Sequence, residues 1–186
     1  MKKVALLFAL FAFSINAQKS IRSIKLDSAI FAKINQVRIE NAQPGALKFF
    51  YGKLREFSYT VTEKNCNINY FQHSAWDSTK KYCNAECIYQ YTVASSKSIL
   101  IDIESNINDI NRIADDVVTS WMNSPAHRHV ILLPWNRSYT ITSQLNIAQD
   151  NKSYVLSVSY HAVQHTTKIN EIPKGLHQDA AYYMIK

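Results

Sequence analysis

Glycine and proline are scarce in this sequence, three and four residues in 186, and cysteine occurs only three times. With so few glycines there is no glycine-rich phosphate loop. There is also no H-E-x-x-H helix and no serine nucleophile in recognisable local context, which argues against kinase, zincin and serine-hydrolase classes. No repeat or low-complexity tract interrupts the chain. No segment approaches the roughly eighteen uninterrupted apolar residues of a membrane span, so no permanent span is expected. A basic stripe is missing too: the formal charge of +7 is scattered along the chain, and no nucleic-acid partner is expected.

What is present is 47% hydrophobic content in a chain long enough for one ordinary core. The amino terminus has the layout of a secretory signal peptide: Lys2 and Lys3, an apolar run from Val4 to Phe13, then Ser14-Ile15-Asn16-Ala17. The run is about half the length a spanning helix needs. Residues 1–17 are therefore expected to be removed and the mature protein to be secreted or periplasmic, with a formal charge of +5 once Lys2 and Lys3 are gone. In an oxidising compartment two of Cys66, Cys83 and Cys87 are expected to pair, and the spacing does not say which. A zinc site drawing on these cysteines and His73 is the weaker reading, because structural zinc needs four closed ligands and usually tighter C-x-x-C pairs.

The pattern along the chain predicts an α+β order. Asp27 is a candidate N-cap for a first helix whose Ile30, Phe31, Ile34 and Val37 share a face, and Asn41-Ala42-Gln43-Pro44-Gly45 breaks it. Residues 47–70 are mixed and read as helical. Ser98 to Ile103 is either a strand or an extended loop. A second clear helix starts at Asn108 or Asn111, carries Ile110, Ile113, Ala114, Val117, Val118, Trp121 and Met122 at steps of three and four, and ends at Ser124-Pro125. Tyr139 to Ile147 and Tyr154 to Tyr160 alternate as half-buried strands around a turn at Gln149-Asp150-Asn151-Lys152, which predicts an antiparallel hairpin.

The stretch Trp121-Met122-Asn123-Ser124-Pro125-Ala126-His127-Arg128, followed by an aliphatic run, resembles the bacterial signature of the CAP superfamily, the cysteine-rich secretory, antigen 5 and pathogenesis-related-1 group. Ile34-Asn35-Gln36-Val37-Arg38-Ile39-Glu40-Asn41 resembles that family's opening I-N-x-x-R-x-x-N segment, and the terminal hairpin sits where the family has one. The resemblance covers residues 27–163, leaving a carboxy-terminal tail at 164–186. It implies a three-layer α-β-α sandwich with a central antiparallel sheet and a shallow cleft receiving two histidines and two acidic residues. By position these are His127 in the matched S-P-x-H-R segment, His73, Glu86 and Asp116. Glu86 stands where the family has G-E-N-I, with alanine replacing the glycine and cysteine the asparagine. Asp116 stands where a glutamate is usual.

Two imidazoles beside two carboxylates could hold a divalent ion such as zinc through His73 and His127, the acids orienting the rings. The same set could serve as general acid and base. The alternative is that both histidines are structural, with Glu86 and Asp116 as hydrogen-bond partners. Three functions follow from the resemblance: a non-catalytic module that binds a protein, lipid, small molecule or metal through the cleft; a hydrolase using metal-bound water there; or a lipid- or sterol-binding protein. A shared fold does not fix a reaction, and the first is the reading the sequence favours.

Overall fold

A computed structural model describes residues 19–45, 48–49, 52–67, 70–75, 82–95, 101–136 and 138–163. The expected signal peptide and the tail at 164–186 lie outside the described residues. The observed class is α+β. The chain runs β1 (Lys19–Arg22), α1 (Ile24–Glu40), β2 (Lys48–Phe49), α2 (Lys53–Asn65), β3 (Ala85–Ala94), α3 (Ile107–Asn123), α4 (Pro125–Leu132), β4 (Ser138–Ile147) and β5 (Ser153–Val163). The strands form one sheet in the order β1-β4-β5-β3, antiparallel throughout, with the two-residue β2 parallel beside β4. Among the described residues no helix is long and apolar enough to cross a membrane.

Sequence chemistry sets each boundary. Ser23, rather than Asp27, caps α1: its Oγ accepts from the Leu26 amide at 3.1 Å, and Asp27 falls in the first turn with its carboxylate buried. Asn106 caps α3 by accepting from the amides of Asn108 and Asp109. The stripe from Ile110 to Trp121 is buried as its spacing predicts, and Trp121 donates its indole N–H to the Ile88 carbonyl at 3.1 Å. Pro125 then opens α4, where its missing N–H leaves no bond unmade. The buried Arg38 guanidinium donates to the carbonyls of Ile131 and Leu133, satisfying the end of α4. The chain reverses between β4 and β5 at the expected residues, with Asn151 in the left-handed region at φ 55°.

Three features depart from the sequence reading. Strand β1 pairs Lys19–Arg22 with Gln144–Ile147, so the folded unit starts ahead of residue 27. Residues 85–94, unassigned above, form the ten-residue strand β3. The hairpin strands are buried on both faces, not one. Tyr139, Ile141, Leu145, Leu156, Val158 and Tyr160 pack into the main core with α1 and α3. The alternate residues Thr140, Thr142, Gln144, Ser157, Ser159 and His161 are buried too. Helix α2 covers this second face and meets it with its own polar side: Ser58 bonds Thr142 at 2.6 Å, and Thr62 bonds Thr142 at 2.7 Å. The segment Ser98 to Ile103 lies partly outside the described residues, and Ile101 to Ile103 is neither helix nor strand.

The two helical layers meet at the free edge of β4, in the gap between its pairing with β2 and its pairing with β1. Arg55 of α2 passes through this gap, donates to the Ile141 carbonyl at 3.1 Å and pairs with Asp27 of α1 at 2.5 Å. Ser143 donates to the other Asp27 oxygen at 2.6 Å, and Tyr59 bonds Arg55 at 2.8 Å. Burial pushes the Asp27 carboxyl up to about 6 against the pull of Arg55 and Ser143, which leaves it ionised and paired at neutral pH.

Arg55→Met should lower unfolding free energy by about 3–5 kcal/mol, because it strands a buried carboxylate. Lys33→Met, which breaks a 2.5 Å pair with Asp115 at the surface, should change it by less than about 0.5 kcal/mol. Urea unfolding of both variants at pH 7 measures the contrast; equal effects would show that the edge bridge is as dispensable as a surface pair.

Candidate functional site

At the end of the sheet where β5 finishes, its register sets Glu86 of β3 beside His161 of β5, both on the face under α2. Glu86 has a side chain only 7% exposed and bridges two imidazoles. One is the buried His161, whose Nε2 is 2.9 Å from Oε2. The other is His73, 58% exposed, whose Nδ1 is 2.8 Å from Oε1. The Ser74 amide donates to the same Oε1 at 2.9 Å. Burial acts to raise the Glu86 pKa, but hydrogen bonds from His161 and Ser74 and the field of His161 outweigh it and hold the carboxyl at about 2.

An ionised carboxylate only accepts, and this fixes the protons around it. His73 presents its Nδ1–H to Oε1, which leaves Nε2 on the far side of the ring from the carboxylate. His161 presents its Nε2–H to Glu86, and its Nδ1 lies 2.8 Å from the Ser58 hydroxyl, which is hydrogen-bonded to Thr142 at 2.6 Å. The exposed imidazole is thus oriented by a hydrogen-bonded chain that runs into the polar interior. His127, on the first turn of α4, faces it with ring centroids 6.2 Å apart. Burial lowers the His127 pKa and the neighbouring His73 lowers it further, which favours neutral imidazole with a free lone pair.

The structure therefore brings together His73, Glu86 and His127 and separates Asp116 from them. Asp116 is exposed on α3, pairs with Arg112 one turn earlier at 3.6 Å, and lies near Tyr89, whose phenol burial and then Asp116 push up to about 12. None of the contacts described for Asp116 reaches His73, Glu86 or His127. The second partner of Glu86 is His161, which the sequence reading missed. Its signal was its place in the polar phase Ser157, Ser159, His161 of a strand, a phase that normally faces solvent.

The expected disulfide is not formed: Cys66, Cys83 and Cys87 are all free and buried. Cys87 sits in the main core, whereas Cys83 packs with Leu54 and Val163 on the α2 side. The Cys66 Sγ lies 3.2 and 3.1 Å from the Gln144 and Val155 carbonyls. Burial pushes the Cys66 and Cys83 thiols up to about 12 and Cys87 higher still, so none is a ready thiolate for metal or for nucleophilic attack. Ser58, His161 and Glu86 have the composition of a hydrolytic triad, but Ser58 and His161 are wholly buried and present no oxygen to a substrate. Among the described residues no cluster of three or more His, Cys, Asp or Glu side chains could enclose a metal ion.

Because the folded pKa of Glu86 lies below the usual value of about 4.3, its stabilising contribution is present above that value and is lost as pH falls toward 2. Glu86→Gln should flatten the acid limb of the stability profile. Urea midpoints compared between pH 6 and pH 3 read this directly, and parallel profiles for the two proteins would refute the assignment.

No family model matches the chain, and no curated protein matches it. Among solved structures it is similar to an outer surface protein from Borrelia burgdorferi, with 14% identity and a TM-score of 0.47 over 80% of this chain and 100% of that one.

Proposed function

We propose that this chain is an exported CAP-like binding module whose cleft presents His73 and His127 to a divalent ion such as zinc, and so to a partner or small ligand, without catalysing a reaction. The observation that carries the reading is the orientation of His73. A carboxylate holds its Nδ1–H and leaves Nε2 open 6.2 Å, ring to ring, from a second imidazole. A carboxylate behind a histidine is the usual support of a metal-binding imidazole. Two imidazoles on one tetrahedral ion, with nitrogens about 2.0–2.1 Å from it, place their ring centroids about 5 Å apart, so a small rotation of the exposed His73 closes the pair. With two protein ligands the remaining positions belong to water or to the bound partner. Export is supported by the leader pattern of residues 1–17, and the family reading by the segment around His127.

Calorimetry with zinc on residues 18–186 tests the site. One ion should bind per chain, His73→Ala and His127→Ala should each abolish it, and Glu86→Gln should weaken it by about 10- to 100-fold. No binding, or binding that survives both histidine substitutions, would make these imidazoles structural.

A further inference from the structure

Beside the imidazole pair, α2 and the 70–75 segment enclose a groove of about 380 Å³, within the size range of small-molecule sites. Phe57 and Val61 on α2 and Tyr70 on the facing segment give its lining an apolar part, and Lys64, Asn65, Gln72, His73 and Ser74 give it a polar part of about equal extent. The wall opposite α2 is tied down by two side chains, Gln90 and Asn65. The Nε2 of Gln90 on β3 lies 2.6, 2.8 and 2.9 Å from the carbonyls of Asn65, Asn67 and Tyr70, and its two hydrogens are shared among these three acceptors. Asn65 accepts from the Gln72 amide at 2.8 Å and donates to the Gln72 carbonyl at 3.0 Å. Phe57 is itself fixed, stacked on Tyr82 at 4.8 Å and edge-on to His161 at 5.1 Å. A groove whose walls are held in this way loses little freedom when it is filled.

Its charge is one-sided. Lys64, in the last turn of α2, has no ion-pair partner among the described residues, while its neighbour Glu63 is engaged by Arg22 at 3.4 Å. Glu86, the carboxylate closest to His73, is enclosed between two imidazoles and the Ser74 amide. The groove therefore offers aromatic and aliphatic surface, a free cation and, among the described residues, no free carboxylate.

We infer that the groove binds a small aromatic anion, a carboxylate or sulfonate whose ring lies against Phe57 and Tyr70 while its acid group meets Lys64. A free aromatic acid and the carboxyl end of a peptide with a terminal aromatic residue share this chemistry. The groove shares His73 with the imidazole pair but not His127, which does not line it, so the two readings can fail separately.

The test is fluorescence titration of residues 18–186 with two probes of similar shape, the anionic 8-anilinonaphthalene-1-sulfonate and the neutral N-phenyl-1-naphthylamine. The anion should bind at one site. Lys64→Gln should weaken it by about tenfold, the loss of one charge-assisted contact, and leave the neutral probe unchanged. Tyr70→Ala should weaken both probes, and His127→Ala neither, so failure of zinc binding would not be mistaken for failure here. Displacement by 3-phenylpropionate alone marks a free acid as the ligand type, and displacement by acetyl-Gly-Phe marks a peptide end. If neither displaces the probe, or if Lys64→Gln leaves the anion's affinity unchanged, the inference is overturned.

Discussion

The Asp27–Arg55 pair is the contact on which the rest of the molecule depends. A sheet with helices on both faces ordinarily separates its two layers completely. Here a guanidinium from one layer passes the free edge of β4 and meets a carboxylate from the other, taking up the Ile141 carbonyl on the way. The pair fixes the height and rotation of α2 over the sheet. Three residues beyond Arg55, Ser58 holds His161, His161 holds Glu86, and Glu86 holds the exposed His73. Phe57 and Lys64 of the groove ride on the same helix.

Seating α2 on polar residues has a consequence for specificity. Hydroxyls, amides and an imidazole buried between helix and sheet stabilise the fold only when their partners are in place, whereas an apolar interface tolerates sliding. The bonds among Ser58, Thr62, Thr142 and His161 admit one register of α2 on the hairpin, and that register puts Glu86 under His73. Packing on the opposite face, from Ile30 to Trp121, supplies most of the apolar burial and has no such directional requirement.

Helix α3 was legible because seven apolar residues at steps of three and four leave one solution, and Ser124-Pro125 marks its end without ambiguity. The hairpin was legible from period-two alternation and its Gln149–Lys152 turn. Strand β3 also alternates, with Ala85, Cys87, Tyr89, Tyr91 and Val93 on one phase, but Ile88 among the polar residues of the other phase hides the period. His73, Glu86 and His127 were assigned by position in a motif, and the structure sets His73 against the other two. Asp116 was assigned in the same way, and its described partner is Arg112, one turn earlier on an exposed helix face. The cysteines were read from their compartment, yet their burial in separate clusters keeps Cys83 and Cys87 apart.

By itself the sequence determined α1, α3 and the hairpin, because helix stripes and turns are set by residues within a few positions of one another. It also determined which face of the hairpin is apolar. Only the tertiary structure decided that the polar face is buried as well. Nothing in Thr142 or His161 distinguishes a residue meeting water from one meeting the hydroxyls of another helix; hydrogen-bonding capacity is the same in both cases. The partner of Glu86 was therefore settled by which helix covers that face and by the edge-crossing bridge that holds it there.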